Sequence, residues 1–294
     1  MIELAAGSLE AVFLPAQGML CRSLRHRGDE LLRRVDNLLA YAAAGSQAGI
    51  PLMHPWANRL DGMRYRVAGR EVQLDPSSPL LHFDANRLPI HGVPWSRLAW
   101  EAVATNARID ATLDWNRSEL LAVFPFPHRL ELAVTLESDA LTVETTLVAG
   151  AAGVVPASFG FHPHFGLPGV PRAQWRLAVP ALRHLVLDPR GIPTGAEEES
   201  PPSDAELGAR TLDDGFALRR SAESFRLSGG GRHIVVELLE GYSHVQLYAP
   251  QAAELVAIEP MAAPTNALVS GRVLPLVAPG GRYRAVFRVR VETR

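Results

Sequence analysis

Hydrophobic and polar residues alternate along much of this chain, which is the period of a β-strand with one buried face. The clearest run covers residues 129–136, where leucine or valine occupies every second position. A second run starts at Leu141 after a short polar turn, so the two runs predict an antiparallel hairpin. Residues 283–291 repeat the alternation, with arginines on the face opposite the apolar one.

Shorter runs of the same kind predict further strands at 9–14, 64–67, 71–74, 233–239, 245–248 and 255–258. Helical periodicity is scarce, and residues 30–44 are the best helix candidate. The segment 188–209 combines prolines, glycines and an acidic run, which predicts an exposed loop. Strands without intervening helices predict an all-β protein, a large antiparallel β-sandwich. Strand patterns continue on both sides of the loop, so we expect a single domain over 1–294.

Composition and charge narrow the class of ligand. Of the 294 residues 47% are hydrophobic, and 29 basic residues nearly cancel 31 acidic ones, giving a formal net charge of −2. This balance is not typical of a nucleic-acid or membrane partner and favours a small neutral ligand. With no signal-like start or long apolar run, we expect a cytoplasmic protein. We expect it to be a monomer or a homodimer. The single cysteine, Cys21, lies in an alternating stretch and is expected to be a buried thiol.

Several polar clusters fall where strands end, which is where a sandwich displays a binding site. In the first, Asn58 and Arg59 follow Trp56, so hydrogen-bond donors stand beside an aromatic surface that could lie against a sugar ring. In the second, Gly92 after His91 lets the backbone bend around a ligand. A plain turn with a solvated arginine, and a plain loop histidine, remain the alternatives.

The third cluster carries two histidines, His162 and His164, among aromatic residues, where unpartnered imidazoles would be costly. In the fourth, Glu259 ends an apolar strand directly before a proline. A carboxylate in that setting is expected to have a raised pKa and could act as a base. A solvated glutamate at a strand end is the alternative.

Taken in order, these clusters resemble the aldose 1-epimerase family across most of the chain. The matching segments are Ala57-Asn58-Arg59, His91-Gly92, His162-Pro163-His164-Phe165, Leu212-Asp213-Asp214-Gly215-Phe216, Val245-Gln246-Leu247-Tyr248 and Ile258-Glu259-Pro260. The resemblance implies a galactose mutarotase-like supersandwich with an open sugar cleft and no cofactor or metal. It also implies that His162, in its protonated form, is the general acid and Glu259 the general base. The residues it implies for holding sugar hydroxyls are Asn58, Arg59, His91, Asp213 and Gln246, with Asp214 in place of Asp213 if the acidic pair is shifted.

The sequence departs from the family at His164, where many relatives carry an aromatic residue, so we expect a more polar cleft edge that titrates near neutrality. Three other functions stay open. One is a metalloenzyme using His162, His164, Glu259 and His91, and another is a sugar-binding module without turnover. The third is a hexose-6-phosphate mutarotase, for which the nearby cations are Arg22, Arg25, Arg87 and Arg97.

Overall fold

The computed structural model describes residues 1–33, 35, 37–43 and 47–293, and most of its regular structure is β-strand. In chain order the strands are β1 (Ile2–Ala6), β2 (Leu9–Leu14), β3 (Leu20–His26), β4 (Asp29–Glu30), β5 (Leu52–Met53), β6 (Arg64–Val67), β7 (Arg70–Gln73), β8 (Glu101–Ala104), β9 (Arg108–Trp115), β10 (His128–Leu136), β11 (Ala140–Ala149), β12 (Val155–Pro156), β13 (Gly160–Phe161), β14 (His164–Phe165), β15 (Arg176–Val179), β16 (Leu182–Leu187), β17 (Pro193–Ser200), β18 (Ser203–Glu206), β19 (Leu212–Leu218), β20 (Glu223–Gly229), β21 (Arg232–Glu240), β22 (His244–Ala249), β23 (Val256–Met261), β24 (Leu276–Val277) and β25 (Arg282–Thr293). The α-helices are α1 (Leu38–Ala43), α2 (Ser118–Val123) and α3 (Ala267–Ser270).

Two large antiparallel sheets dominate the described part of the chain. One holds nine strands in the order β18-β15-β20-β21-β25-β11-β10-β9-β8. The other holds eight, in the order β17-β16-β19-β22-β23-β13-β5, with β14 also paired to β23. Smaller sheets are formed by β1 to β4, by β6 with β7, and by β12 with β24.

The two large sheets pack face to face through their apolar sides. The Phe161 ring of β13 lies 5.1 Å, centre to centre, from the Phe287 ring of β25. This contact belongs to a buried apolar cluster that includes residues from Leu4 to Val291. The prediction of a large antiparallel β-sandwich is therefore confirmed.

The strands predicted from alternation are present. Residues 129–136 lie in β10, which pairs with β11 through a hairpin that sets Leu136 opposite Leu141. Residues 283–291 lie in β25, and the shorter predicted runs correspond to β2, β6, β7, β21, β22 and β23. Cys21 is buried in β3, as expected. Alternation succeeded for β10 because this strand buries one face and leaves the other partly exposed. Strand β23 is buried on both faces and was recognised by its run of apolar residues before Glu259.

The prediction of a loop over 188–209 is wrong, because β17 and β18 lie in this segment. Both strands are largely exposed, so they lack the apolar alternation of a half-buried strand. Strand β17 pairs with β16 at the edge of its sheet, and Glu197 and Glu199 form ion pairs with Arg183 and Arg219. Charged side chains are common on edge strands because they oppose pairing with another chain.

The helix predicted over 30–44 is much shorter in the structure. Its start is fixed by Asn37, whose side-chain oxygen accepts a hydrogen bond from the Ala40 amide, and α1 follows from Leu38. Before it, Glu30 belongs to β4 and Leu32 forms a bridge with Phe165. Positions 34, 36 and 44 of the prediction lie outside the described residues. Over the described ranges, no helix combines the length and apolar character needed to cross a bilayer.

Candidate active site

A polar cavity lies on the face of the eight-stranded sheet opposite the sandwich core. Antiparallel register sets Gln246 of β22 opposite Glu259 of β23, and Tyr248 of β22 opposite Asp213 of β19, so these side chains share one face. Leu247, between Gln246 and Tyr248, belongs to the core. The cavity has a volume of about 280 Å³ and is lined by Arg33, Tyr41, Gln47, Asn58, Arg59, Ile90, His91, His162, His164, Asp213, Gln246, Tyr248, Leu255 and Glu259.

The two residues expected to move protons are in contact. His162 follows β13, and its Nε2 lies 3.3 Å from Oε1 of Glu259. The side chains of His162 and Glu259 are only 8% and 2% exposed. The other carboxyl oxygen of Glu259 and the Nδ1 of His162 have no hydrogen-bond partner in the described structure. Residues nearly one hundred positions apart in the sequence thus form a buried contact between an imidazole and a carboxyl group.

Two further imidazoles surround His162. His164 is two residues on, and its ring stacks on His162 at 4.2 Å between centres with planes 8° apart. The His91 ring meets the same imidazole edge-on at 5.2 Å. The His164 Nδ1 is held by the Gly49 carbonyl oxygen at 3.3 Å. The sequence pattern His-Pro-His therefore places both imidazoles on one wall of the cavity.

Burial decides the protonation of the pair. It raises the pKa of Glu259 well above its ordinary value, the charge of Asp213 raises it further, and Arg59 lowers it. Burial also lowers the pKa of His162 well below 6.5, helped by His164 and His91. Both shifts favour the uncharged pair, in which the shared proton lies on the carboxyl group. Burial thus disfavours the protonated His162 that the resemblance implies, because neither charged form is solvated there.

The neighbouring imidazoles are neutral too. Burial, followed by the charge of Arg59, lowers the pKa of His91 to about 3. Burial lowers the pKa of His164 to about 4. The expectation that His164 titrates near neutrality is therefore wrong, because the stacked ring is almost fully shielded from water.

Asn58 and His91 reach the cavity through strained backbone. Both adopt left-handed φ angles, +56° for Asn58 and +60° for His91, which are uncommon outside glycine. The His91 amide donates to the Asn58 carbonyl oxygen at 2.9 Å, so the two segments support each other. Gly92 then passes so close to the His54 carbonyl that a Cβ would lie 2.3 Å from its oxygen. Gly92 is therefore required for this close approach to the backbone of His54, whereas the sequence predicted a bend around a ligand.

Asp213 and Gln246 form the far side of the cavity. The Gln246 side-chain amide donates to Asp213 at 2.7 Å, and Asp213 lies 3.8 Å from the Arg59 guanidinium. Asp214 is on the opposite face of β19, and its carboxylate accepts a hydrogen bond from Nε2 of His184 at 3.0 Å. Of the two acidic candidates, the structure therefore brings Asp213 into the cavity and not Asp214.

The expectation for Trp56 is wrong. Trp56 is 1% exposed, lies in the sandwich core and packs edge-on against Tyr65, so no face of it borders the cavity. In a regular strand, positions 56 and 58 would share a face. The left-handed turn at Asn58 breaks that pattern, and the aromatic rings that line the cavity are those of Tyr41 and Tyr248.

Replacing Trp56 should consequently affect stability and not sugar contact. We expect Trp56→Ala to lower the free energy of unfolding by about 3–5 kcal/mol, because it leaves a cavity in the core. Trp56→Phe should lower the free energy of unfolding by less, because less volume is lost from the core. It should leave sugar affinity within about twofold, because Trp56 does not line the cavity. Urea unfolding and calorimetric titration measure the two quantities. A Trp56→Phe protein of normal stability that binds sugar far more weakly would contradict this assignment.

Five lining residues, Arg33, Tyr41, Gln47, Ile90 and Leu255, were missed by the sequence analysis. The first three lie between β4 and β5, with Tyr41 in the short helix α1, and single polar residues there give no periodic signal of a site. Arg33 lies over the Tyr41 ring at 5.6 Å, and its amide donates to the His164 carbonyl oxygen. Tyr248 stood in a recognised motif, but no role was assigned to it.

The geometry gives little support to the metalloenzyme. Among the described residues no three His, Cys, Asp or Glu side chains are grouped so that they could hold a metal ion. The rings of His162 and His164 are nearly parallel, so their in-plane lone pairs do not converge on a common point. The arginines considered for a sugar phosphate, Arg22, Arg25, Arg87 and Arg97, are all described, and none of them lines the cavity.

The fold and this polar cavity define a β-sandwich protein in which a buried imidazole and a buried carboxyl group meet at one wall of the cavity. The sequence matches the aldose 1-epimerase family over residues 1–290, and the chain belongs to that family. The uncharacterized Escherichia coli K12 protein YihR is 24% identical over 267 residues, covering 82% of this chain and 80% of the relative.

Solved structures agree on the fold. A galactose mutarotase-like protein from Clostridium acetobutylicum superposes with a TM-score of 0.85 at 18% identity, covering 99% of this chain and 95% of that one. A galactose 1-epimerase from Lactobacillus acidophilus NCFM gives a TM-score of 0.77 at 15% identity, covering 98% and 92%. The predicted galactose mutarotase-like sandwich is therefore confirmed.

Proposed function

We propose that this protein is an aldose 1-epimerase that interconverts the α and β anomers of a free hexose by acid–base ring opening. The observation that carries the proposal is the buried contact of 3.3 Å between Glu259 and His162. Two groups that share one proton can give a proton to one sugar oxygen while taking one from another. The family and the fold support the same class of reaction.

The reaction needs one base and one acid. Glu259 as a carboxylate takes the proton from the hydroxyl on C1, and the imidazolium of His162 gives one to the ring oxygen O5. The C1–O5 bond breaks, C1 becomes an aldehyde and O5 a hydroxyl. Rotation about C1–C2 turns the other carbonyl face to O5, and closure with the roles reversed restores both groups.

Before this step the proton must pass from Glu259 to His162. Hydrogen bonds from sugar hydroxyls to the carboxylate stabilise its ionised form and so favour the transfer. The contact between the two side chains makes the proton path short. Because either tautomer supplies one acid and one base, the pair works in both directions of the reaction.

The remaining polar residues supply the contacts that hold a hexose. Arg59 and Asn58 offer guanidinium and amide groups, Asp213 and Gln246 offer an acceptor and a further amide, and His91 adds an imidazole. Tyr248 offers an aromatic surface for the C–H face of a sugar, the part first given to Trp56. The volume of about 280 Å³ is at the small end of ligand pockets, which suits a single sugar ring.

Polarimetry on a panel of anomerically pure sugars tests the function. Freshly dissolved α-glucose, α-galactose and other hexoses, with and without a 6-phosphate, are followed with and without protein, in the presence of a chelator. We expect faster rotation change with at least one unphosphorylated hexose and no effect of the chelator. Binding of a sugar with no acceleration across the panel would favour the non-catalytic module, and loss of activity in chelator would favour the metalloenzyme.

A further inference from the structure

Arg59 donates a hydrogen bond to a carboxylate that does not line the cavity, that of Asp84. Its Nε donates to Oδ2 of Asp84 at 2.8 Å, and the two side chains are 18% and 8% exposed. Its Nη1 donates to the Asn58 side-chain oxygen at 3.1 Å, and its Nη2 lies 3.8 Å from Asp213. The short contact with Asp84 therefore fixes the plane of the guanidinium, and the looser Nη groups remain for a ligand.

The other oxygen of Asp84 shapes the chain that leads to His91. Oδ1 accepts hydrogen bonds from the amides of Asn86 and Leu88, both at 2.9 Å. The turn continues to Ile90, which forms a bridge with Arg59, and then to His91. One buried carboxylate thus connects the Arg59 side chain with the segment that presents His91.

We propose that Asp84 is a positioning residue of the sugar site, which aims the Arg59 guanidinium at the sugar and balances its charge. Asp84 does not itself line the cavity, and its hydrogen bonds go to Arg59 and to the turn amides, so it acts on the sugar through them. The inference rests on the proposed function and assigns a further residue to the same site.

Charge balance gives the proposal a second measurable consequence. Glu259 is faced by His162, Asp213, Tyr248 and Arg59, and Arg59 lowers the pKa of Glu259. Asp84 partly cancels the charge of Arg59 because it lies 2.8 Å away. Removing that negative charge lets Arg59 lower the pKa of Glu259 further. The pair then loses its last proton at lower pH, so the alkaline limb of the rate profile moves to lower pH.

The chain contains a closely matched control. Asp188 also accepts two backbone amides on Oδ1, from Arg190 at 2.8 Å and Ile192 at 3.0 Å, and binds an arginine, Arg190, through Oδ2. Arg190 does not line the cavity. Gly191 of this turn packs beside the Arg59 guanidinium, so both turns adjoin Arg59. Of the two turn carboxylates, Asp84 accepts a hydrogen bond from Arg59 and Asp188 pairs with Arg190.

The experiment compares Asp84→Asn with Asp188→Asn on a sugar that the wild-type protein anomerises. We expect Asp84→Asn to raise KM about tenfold with a smaller change in kcat, since a misaimed binding group can cost up to ~10²-fold. The alkaline limb should move to lower pH. Asp188→Asn should keep KM within about twofold, because its asparagine oxygen can still accept the turn amides. Thermal unfolding confirms that each variant is folded.

A double mutant separates positioning from a general structural role. In an Arg59→Gln background, Asp84→Asn should cause no further rise in KM, because the two residues act as one unit. Additive losses, or equal losses in Asp84→Asn and Asp188→Asn, would overturn the proposal. If Asp84→Asn does not fold, Arg59→Lys tests the same point, and a normal KM in that variant would overturn it. A wild-type protein inactive on every sugar would instead overturn the proposed function and this inference with it.

Discussion

Glu259→Gln is expected to remove nearly all acceleration of anomerisation while sugar affinity stays within about tenfold. The amide keeps the shape of the side chain and can still hydrogen-bond, but it cannot take a proton from the C1 hydroxyl. A positioned base contributes about 10²–10⁴-fold in rate, so the fall should be of that size. The side chain is 2% exposed beside His162, and water cannot easily take its place as base.

Polarimetry gives the rate and calorimetric titration gives the affinity. Glu237→Gln is a suitable control, because Glu237 is a partly buried glutamate of β21 that lies outside the cavity and faces Arg290 at 3.6 Å. This control should retain wild-type rate. Turnover that survives Glu259→Gln would refute the assignment of the base, whatever happened to binding.

His162→Asn is expected to reduce the rate by about 10²–10⁴-fold, because the variant has no group to exchange protons with O5 and Glu259. The pH profile should change as well. The pKa of His162 is well below 6.5, so the wild-type pair keeps its single proton until the solution is more acidic than that. Below the His162 pKa the pair gains a second proton, no base remains, and the rate falls.

The wild-type profile should therefore have its acid limb below the ordinary imidazole range. In His162→Asn the remaining slow rate should lack that limb. The control is His244→Asn. His244 is a buried histidine of β22 that forms a hydrogen bond with Ser243 and does not line the cavity. An acid limb that persists unchanged in His162→Asn would mean that another group titrates.

The sequence predicted the large strands well, and the reason is physical. In β10 and β25 a buried face alternates with an exposed one, so the pattern of side chains records the pleat. Strand β17 exposes nearly every residue, and its place is set by pairing with β16. That pairing is a tertiary contact with no local signature, so a Pro- and Gly-containing acidic segment resembled a loop.

The site was predicted residue by residue from a resemblance, and its geometry was not. His162 and Glu259 do meet, and Asn58, Arg59, His91, Asp213 and Gln246 surround them. Their protonation could not be read from the sequence, because it depends on burial and on the neighbouring imidazoles and carboxylates.

The sequence-based prediction wrongly included Trp56 in the site and failed to identify Asp84. Trp56 stands two residues from Asn58 and was assigned to the cavity, but backbone conformation directs it into the core. Asp84 lies seven residues before His91 in a turn, and nothing in the sequence indicated a role for it in the site. Its importance follows from the contact with Arg59, which lies 25 residues earlier in the chain.

The central claim is that the buried pair of Glu259 and His162 exchanges the anomers of a sugar. Magnetisation transfer by NMR tests it at equilibrium, in a mixture of both anomers of a sugar identified by the panel. Saturating the anomeric proton of the α form should reduce the β signal when wild-type protein is present. With Glu259→Gln, which should still bind the sugar, the β signal should stay unchanged. Transfer that is as strong with this variant as with the wild type would contradict the account.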